Sequence, residues 1–215
     1  MSKNSLTCIV LWLLIQLLIE TNCQVTPFKP LQRVLHTATL INNKLYILGG
    51  TVFDDYVTAM IVGKQFFYLD VSVPFNTQEL LWNDLTSTNL LVPSHRGAAS
   101  VNGGVNNHTL FLYGGLTQNN ATDLVYTFDT QSNLWSVPKT TGDIVDKKGG
   151  LTGIVDKNRK MYLFGGYNGF KYLNDMLILD TINLNWEKGS SVNPTARDWY
   201  GATLLPNQHI IYLGK

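Results

Sequence analysis

Leu110-Phe111-Leu112-Tyr113-Gly114-Gly115 is the stretch that decides the fold, four apolar residues followed by two glycines. The same pattern stands at 45–50 and 161–166, and Ile210-Ile211-Tyr212-Leu213-Gly214 begins it a fourth time. A motif that recurs at roughly 50 residues indicates a repeat architecture, in which each unit is one small supersecondary structure. The structural markers of this repeat are Gly49, Gly50, Gly114, Gly115, Gly165 and Gly166.

Two further markers keep the same phase along the chain. An aspartate closes a second apolar run at Asp70, Asp129 and Asp180, and a tryptophan follows at Trp82, Trp135 and Trp186. From first glycine to aspartate the second and third units both count 15 residues, and from aspartate to tryptophan both count 6. The first unit carries two insertions of six residues each. We expect the tryptophans to pack between units, because large aromatic side chains act mainly through burial.

The apolar pattern within a unit predicts four short antiparallel strands. The second strand is apolar at four successive positions instead of alternating, which predicts that both of its faces are buried. The third strand ends at the aspartate, the fourth carries the tryptophan, and no segment after residue 23 has a sustained helical period. This is the description of a β-propeller blade, so the fold class is all-β. The predicted blades span about residues 33–85, 95–138 and 149–189, with half of a fourth at 197–215.

The phased glycine pair, aspartate and tryptophan resemble the Kelch repeat family. The approach to the first strand is also similar at Pro30-Leu31-Gln32-Arg33 and at Pro194-Thr195-Ala196-Arg197. The second unit departs, because its Arg96 comes late, and the third unit has neither proline nor arginine there. Since Kelch propellers usually close with five to seven blades, the resemblance implies an incomplete propeller. We therefore expect the chain to be a fragment or to associate with other chains.

Residues 1–23 have the pattern of a secretory signal peptide. Lys3 supplies the positive charge, and Leu6–Ile19 is a mostly apolar stretch shorter than the roughly 20 residues of a membrane span. We place cleavage after Cys23, so that the propeller occupies residues 24–215. An uncleaved signal anchor is the alternative. The sequence therefore predicts a protein that is secreted or displayed at the cell surface.

Two glycosylation motifs, at Asn107 and Asn120, agree with the secretory route. Cleavage would remove both cysteines, Cys8 and Cys23, and this excludes a disulfide scaffold, a cysteine-ligated zinc site and a thiol enzyme. The net charge of +1 and the charged fraction of 14% give no basic face for nucleic acid.

Catalytic and metal chemistry find little support in the sequence. His36 and His95 both stand near the start of a first strand, where they could approach each other, but two structural histidines are the commoner outcome. The sequence contains neither the Gly-x-Ser-x-Gly motif of serine hydrolases nor the Gly-x-x-x-x-Gly-Lys-Ser/Thr motif of phosphate-binding loops. We therefore predict no catalytic residue, no metal and no cofactor. Galactose oxidase-like enzymes of the wider family use copper and a cysteine-linked tyrosine, which would need sequence outside this chain.

Binding through loops is the better prospect. The segments after each glycine pair, and those that enter each first strand, are expected on one end of the propeller. Aromatic and arginine side chains on loops are the types that anchor interfaces. The candidate partner-binding residues are Arg33, Phe53, Asp54, Asp55, Tyr56, Arg96, Tyr167, Arg197 and Trp199.

The sequence thus favours a non-enzymatic extracellular or cell-surface module that binds a protein or glycan partner. Membrane attachment would come only through a signal anchor or through a segment beyond residue 215. One alternative is the N-terminal part of a copper oxidase-like propeller. Another is a cytosolic Kelch adaptor whose N-terminus only resembles a signal peptide.

Overall fold

The computed structural model of the chain describes residue 12 and residues 27–54, 57–117, 123–190 and 194–214, the side chains of 53–62 excepted. The predicted signal peptide, residue 12 apart, lies outside these ranges. No helix among the described residues is long and apolar enough to cross a membrane. The strands are β1 (Arg33–Val34), β2 (Thr37–Ile41), β3 (Lys44–Leu48), β4 (Thr51–Asp54), β5 (Val57–Val62), β6 (Phe66–Asp70), β7 (Trp82–Asp84), β8 (His95–Arg96), β9 (Ala99–Gly103), β10 (Thr109–Tyr113), β11 (Leu116–Thr117), β12 (Val125–Asp129), β13 (Leu134–Ser136), β14 (Thr141–Gly142), β15 (Ile154–Val155), β16 (Lys160–Phe164), β17 (Met176–Asp180), β18 (Asn185–Gly189), β19 (Gly201–Leu204) and β20 (Ile210–Leu213). A 3-10 turn spans Thr86–Thr88.

The strands form the blades of a β-propeller, which confirms the predicted all-β fold. Blade 1 has the strand order β2-β3-β6-β7, and blade 2 is its counterpart, with β9, β10, β12 and β13 side by side. In blade 3, the strands β15 to β18 are extended by β14, which joins β18 in parallel. Strands β19 and β20 form a two-stranded sheet, which we call blade 4.

The second strand of blade 2 is buried on both faces because blade 2 packs between blades 1 and 3. On β10, Leu110 and Leu112 belong to the apolar cluster shared with blade 1, whereas Phe111 and Tyr113 belong to the cluster shared with blade 3. All four side chains are at most 3% exposed. The unbroken apolar run is therefore the expected consequence of alternating side chains that point into two different interfaces.

Two of the three repeat tryptophans pack against the preceding blade. Trp135 of blade 2 lies at 5.1 Å, ring centre to ring centre, from Phe66 of blade 1, and Trp186 of blade 3 lies at 5.4 Å from Tyr113 of blade 2. Trp82 of blade 1 is only half-buried and contacts Phe67 within its own blade. The three positions thus share a place in the repeat but differ in burial.

The repeat aspartates end the third strands by starting a turn. The Asp70 carboxylate accepts a hydrogen bond from the Ser72 N–H at 2.9 Å, and Asp180 does the same for the Ile182 N–H at 2.9 Å. An aspartate that bonds the backbone two residues on mimics a backbone turn. This explains why the aspartate recurs in phase with the glycines.

The first insertion of unit one forms a β-hairpin directly after the glycine pair. Strands β4 and β5 pair with each other, and β1 adds to the open edge of β4. Residues 51–62 are rich in valine, threonine and isoleucine, which favour extended backbone. The hairpin leaves the same end of blade 1 as the glycine pair.

A prediction follows from Gly114, which has φ +69° and lies against blade 3. A β-carbon at this position would stand 2.2 Å from the Lys148 carbonyl oxygen, so Gly114→Ala must push blade 3 away. We expect a loss of at least about 3 kcal/mol in unfolding free energy, measured by urea denaturation. Gly169→Ala is the matched control, since Gly169 has φ +96° but no atom within 4 Å of the added carbon, and should cost about 1 kcal/mol. Equal losses in the two variants would show that the contact with blade 3 is unimportant.

Candidate functional site at the inner end of the blades

A ladder of backbone hydrogen bonds joins successive blades where each first strand begins. The Gly97 N–H donates to the Leu35 carbonyl at 2.8 Å, the Gly150 N–H to Gly97 at 2.8 Å, and the Trp199 N–H to Gly150 at 2.9 Å. These four residues, which we call the inner ladder, all have φ between 51° and 73°. They therefore occupy one equivalent position in four successive blades.

Two residues before each ladder residue stands a basic side chain. This lead-in position holds Arg33, His95, Lys148 and Arg197. The second glycine of each pair donates its N–H to the lead-in carbonyl of the next blade, for example Gly50 to His95 at 2.8 Å and Gly115 to Lys148 at 2.8 Å. The structure thus aligns His95 and Lys148 with the two arginines, and Arg96 follows the shared position by one residue.

Sequence reasoning missed the equivalence of His95 and Lys148 to the two arginines. Neither residue is an arginine, and neither follows a proline at the spacing found before Arg33 and Arg197. Each lead-in residue stands three places before an equivalent position in the approach to the first strand, at His36, Ala98, Leu151 and Tyr200. Counting back from these positions would have found the basic residues.

Arg33 is held by its own blade. Its Nη1 donates to the Gly49 carbonyl at 3.0 Å, its Nη2 donates to the Gln65 side chain, and its guanidinium lies 4.7 Å from the centre of the Phe67 ring. Burial lowers the pKa of Arg33. The side chain is therefore largely engaged in holding blade 1 together, and offers a partner less than the sequence suggested.

The contact made by each of the other lead-in side chains depends on the residue at the position equivalent to Gln65 of blade 1. The carbonyls of Gln65, Leu124 and Asp175 each accept the N–H of the first glycine in their own blade. Lys148 donates from Nζ to the Asp175 carboxylate at 2.7 Å, just as Arg33 donates to Gln65. In blade 2 this place is taken by Leu124, which has no polar group in its side chain.

His95 is consequently left with one unpaired ring nitrogen. It is 1% exposed, and its Nδ1 lies 2.8 Å from the Pro93 carbonyl, which can only accept a hydrogen bond. Burial lowers the pKa of His95, so the ring is neutral and its Nε2 is the acceptor nitrogen. Among the described residues, no donor reaches this Nε2.

The two histidines considered for a metal both lie against the first glycine pair. A β-carbon at Gly49 would lie 2.5 Å from His95 Nε2, and one at Gly50 would lie 2.9 Å from His36 Cβ. Within the described part of the chain, no three histidine, cysteine or acidic side chains come together as metal ligands. The structure therefore brings both histidines to one place without adding a third ligand.

Arg197, Asp198 and Trp199 belong to the ladder segment of blade 4. Arg197 Nη1 lies 3.4 Å from the Gly214 carbonyl, which repeats the contact of Arg33 with Gly49. Partial burial raises the pKa of the Asp198 carboxyl. Trp199 is 49% exposed. The equivalent ladder residues of blades 2 and 3 are glycines.

A short hairpin from blade 3 stands beside Trp199. Tyr167 and Tyr172 pair through a β-bridge, with their rings 5.3 Å apart, and the Tyr167 hydroxyl donates to the Gly169 carbonyl at 2.7 Å. Phe170 at the tip is 93% exposed and Tyr172 is 60% exposed. Tyr172 lines the same cavity as Trp199, so two separate segments bring aromatic side chains together here.

Several predicted site residues fall outside what the structure describes. Asp55, Tyr56 and Asn120 lie in segments that are not described, and Phe53 and Asp54 belong to β4 without described side chains. Asn107 is half-buried in the turn between β9 and β10, with φ 58°. Arg96 lies in β8, opposite Leu116 of β11. Partner binding and glycosylation at these residues stay predictions.

Repeated four-stranded blades with an aromatic, loop-built end define a propeller of the interaction-module class. The KLHDC2/KLHL20/DRC7 Kelch-repeats domain matches residues 35–215, and the chain belongs to the Kelch repeat family. Kelch domain-containing protein 3 is 30% identical over 201 residues in both Rattus norvegicus and Mus musculus, and 29% identical in Bos taurus. These alignments cover 86% of this chain and 49% of each relative.

The chain thus spans about half the length of the curated relatives it matches. The family confirms the resemblance that the glycine, aspartate and tryptophan pattern predicted. Kelch repeat domains are generally non-enzymatic modules that bind protein partners.

The buried ion pair of blade 3 gives a testable asymmetry. Lys148 is 1% exposed in its side chain and Asp175 is 44% exposed, so Asp175→Asn strands a buried ammonium whereas Lys148→Met leaves a solvated carboxylate. We expect Asp175→Asn to lower the unfolding free energy by about 1–2 kcal/mol at pH 7, and Lys148→Met to change it by less than about 1 kcal/mol.

The pH dependence of the unfolding free energy gives a second test of this ion pair. Burial lowers the pKa of Lys148, so at alkaline pH the unfolded chain binds more protons at this site than the folded chain does. Removing the carboxylate of Asp175 lowers this pKa further. The deficit of Asp175→Asn relative to the natural chain should therefore narrow as the pH rises from neutral towards the ordinary lysine pKa. A deficit that widens over this range would contradict the assignment.

Proposed function

We propose that the chain is a non-enzymatic interaction module of the secretory route, secreted or displayed at the cell surface. It binds a protein partner through the end of the propeller that carries the inner ladder and the Tyr167–Tyr172 hairpin. The observation that carries this proposal is the group of exposed aromatic side chains at that end, Trp199, Tyr172 and Phe170. Their exposure has a cost in water that contact with a partner removes.

The residue types at this end support a protein partner. Tryptophan, tyrosine and arginine are enriched among the residues that dominate interface energies, and Arg197 stands directly beside the aromatic group. The Tyr167 hydroxyl fastens the hairpin, which limits the entropy lost when a partner orders Phe170. Membership in the Kelch family adds weight to this interpretation, since binding is what its repeats generally do.

The secretory route rests on the sequence of residues 1–23 and on the two glycosylation motifs. A carbohydrate on the partner is compatible with this route, because extracellular proteins commonly carry N-linked glycans. A cytosolic adaptor would have neither signal cleavage nor glycans. The two locations therefore differ in the covalent state of the chain itself.

Partner binding can be tested by display of an expression library against the full chain. We expect a captured partner to lose at least tenfold in affinity with the double variant Phe170→Ser, Tyr172→Ser, because two aromatic anchors are removed. Ile182→Ser is the matched control, since Ile182 is an exposed apolar residue in the turn after β17, away from the glycine pairs. A partner whose affinity falls equally with Ile182→Ser would overturn the assigned surface.

The secretory route can be tested by the intact mass of the protein from its native cells, before and after enzymatic deglycosylation. We expect an N-terminus at Gln24 and a mass that falls on deglycosylation. The fall should shrink in Asn107→Gln and in Asn120→Gln. An unprocessed Met1 with no glycan would contradict the proposal and favour the cytosolic adaptor.

A further inference from the structure

His95 lies between blades 1 and 2, among the backbone groups that join them. Its carbonyl accepts the Gly50 N–H at 2.8 Å, and its own N–H donates to the Gly63 carbonyl at 3.3 Å. Its imidazole lies directly against the first glycine of blade 1, because a β-carbon at Gly49 would stand 2.5 Å from Nε2 and 2.9 Å from Cδ2. We call these contacts of His95 with Gly49, Gly50 and Gly63 the blade 1–2 joint.

The joint accommodates the neutral form of the imidazole. The side chain is buried, and Nδ1 already donates its proton to the Pro93 carbonyl. A second proton would go to Nε2, which has no hydrogen-bond partner of either kind among the described residues. An ionised group that is buried without a partner is strongly unfavourable, so the ring must leave this place to become charged.

The equivalent side chains of blades 1 and 3 show what a cation requires at the lead-in position. Arg33 donates to the side chain of Gln65, and Lys148 donates to the Asp175 carboxylate at 2.7 Å. In blade 2 the corresponding residue is Leu124, whose side chain accepts no hydrogen bond. Blade 2 therefore combines a titratable lead-in residue with the loss of the acceptor that a cation needs there.

The charged surroundings of His95 add to the cost of protonation. Burial is the larger cause that lowers the pKa of His95, and the positive charge of Lys147 lowers it further. The one carboxylate on the neighbouring segments, Asp123, acts on Lys147. The charged and titratable side chains on the segments around His95 are Arg33 and His36 at the entry to blade 1, Lys64 after β5, Arg96 beside it, Lys147 before blade 3, and Asp123 before β12.

We propose that the blade 1–2 joint is an acid-sensitive switch, in which protonation of His95 drives out the imidazole and opens this joint while blades 2 and 3 stay joined. In the open form the ring is solvated and has an ordinary pKa of about 6.5. The open form therefore binds more protons than the closed form below this pH, and its fraction rises by up to about tenfold per pH unit.

The switch goes beyond the proposed function and needs only blades 1 and 2. It holds whether or not the chain follows the secretory route and whichever partner it binds. A protein taken up from the cell surface meets about pH 5–6 in endosomes, where histidine switches act. On the proposed route, the joint would thus be closed outside the cell and open after uptake.

Amide hydrogen exchange of the full chain, followed by NMR, tests the switch. The Gly50 N–H reports on the blade 1–2 joint, and the Gly115 N–H, which donates to the Lys148 carbonyl at 2.8 Å, is the matched reporter between blades 2 and 3. Relative to an unfolded peptide at the same pH, protection of Gly50 should fall about tenfold from about pH 7.5 to about pH 5.5, while that of Gly115 stays unchanged. An equal fall at both glycines, or constant protection at Gly50, would overturn the proposal.

Two single variants identify the group that titrates. His95→Gln keeps a polar side chain that takes up no proton, so the fall at Gly50 should disappear. His36→Gln is the matched control, because His36 lies against Gly50 and burial lowers its pKa too, and this variant should keep the fall. A fall that persists in His95→Gln, or that vanishes in His36→Gln, would assign the effect to another group and overturn the proposal.

A double variant tests the physical cause. His95→Lys with Leu124→Asp rebuilds in blade 2 the ion pair that Lys148 and Asp175 form in blade 3, so protection of Gly50 should stay constant down to about pH 5.5. The ring protons of His95 in the natural chain give a measurement that needs no variant, and their titration midpoint should lie below about 6.5. A midpoint at or above this value, or an acid-sensitive Gly50 in the folded double variant, would overturn the proposal.

Discussion

The hydrogen bond from the second glycine of each pair to the lead-in carbonyl of the next blade is the interaction on which the structure depends. It joins Gly50 to His95, Gly115 to Lys148 and Gly166 to Arg197, over 2.8–2.9 Å. Both glycines of a pair have positive φ. A β-carbon on the first glycine would collide with the lead-in residue of the next blade, and one on the second would collide with the segment that enters the first strand of its own blade. The twin glycine is thus required by one close contact between blades and one within the blade.

Blade-to-blade variation at this end resides in side chains, on a backbone that stays the same. The lead-in residue is basic in every blade, yet its partner changes from Gln65 to Leu124 to Asp175, and its role changes with it. In blades 1 and 3 the basic group is tied to its own sheet, and in blade 2 a neutral histidine is enclosed. One backbone position therefore holds side chains with different contacts in successive blades.

The sequence predicted the sheets well because their signals are local and repeated. Four apolar residues before a glycine pair predict a strand buried on both faces, and Leu110 to Tyr113 behave so in the structure. The site was harder to predict because it depends on contacts between units. Trp199 was recognised as a candidate from its residue type, but its left-handed backbone, its glycine neighbours and the adjacent Tyr172 follow only from the ladder. The engagement of Arg33 with Gln65, 32 positions away, has no local signal at all.

The direction of the glycine contacts has a consequence for synthesis on the ribosome. Each blade finds the acceptor for its second glycine in residues that are translated after its own four strands, as with Gly50 and His95. An unpaired buried N–H is costly, so a nascent blade is incomplete until the start of its successor has emerged. Since domains begin to fold from the N-terminus during translation, the blades should consolidate in the order of synthesis, each one secured by the next. A pause in translation after the fourth strand of a blade, before the lead-in residue of the next, would therefore leave that blade unsecured and accessible to chaperones.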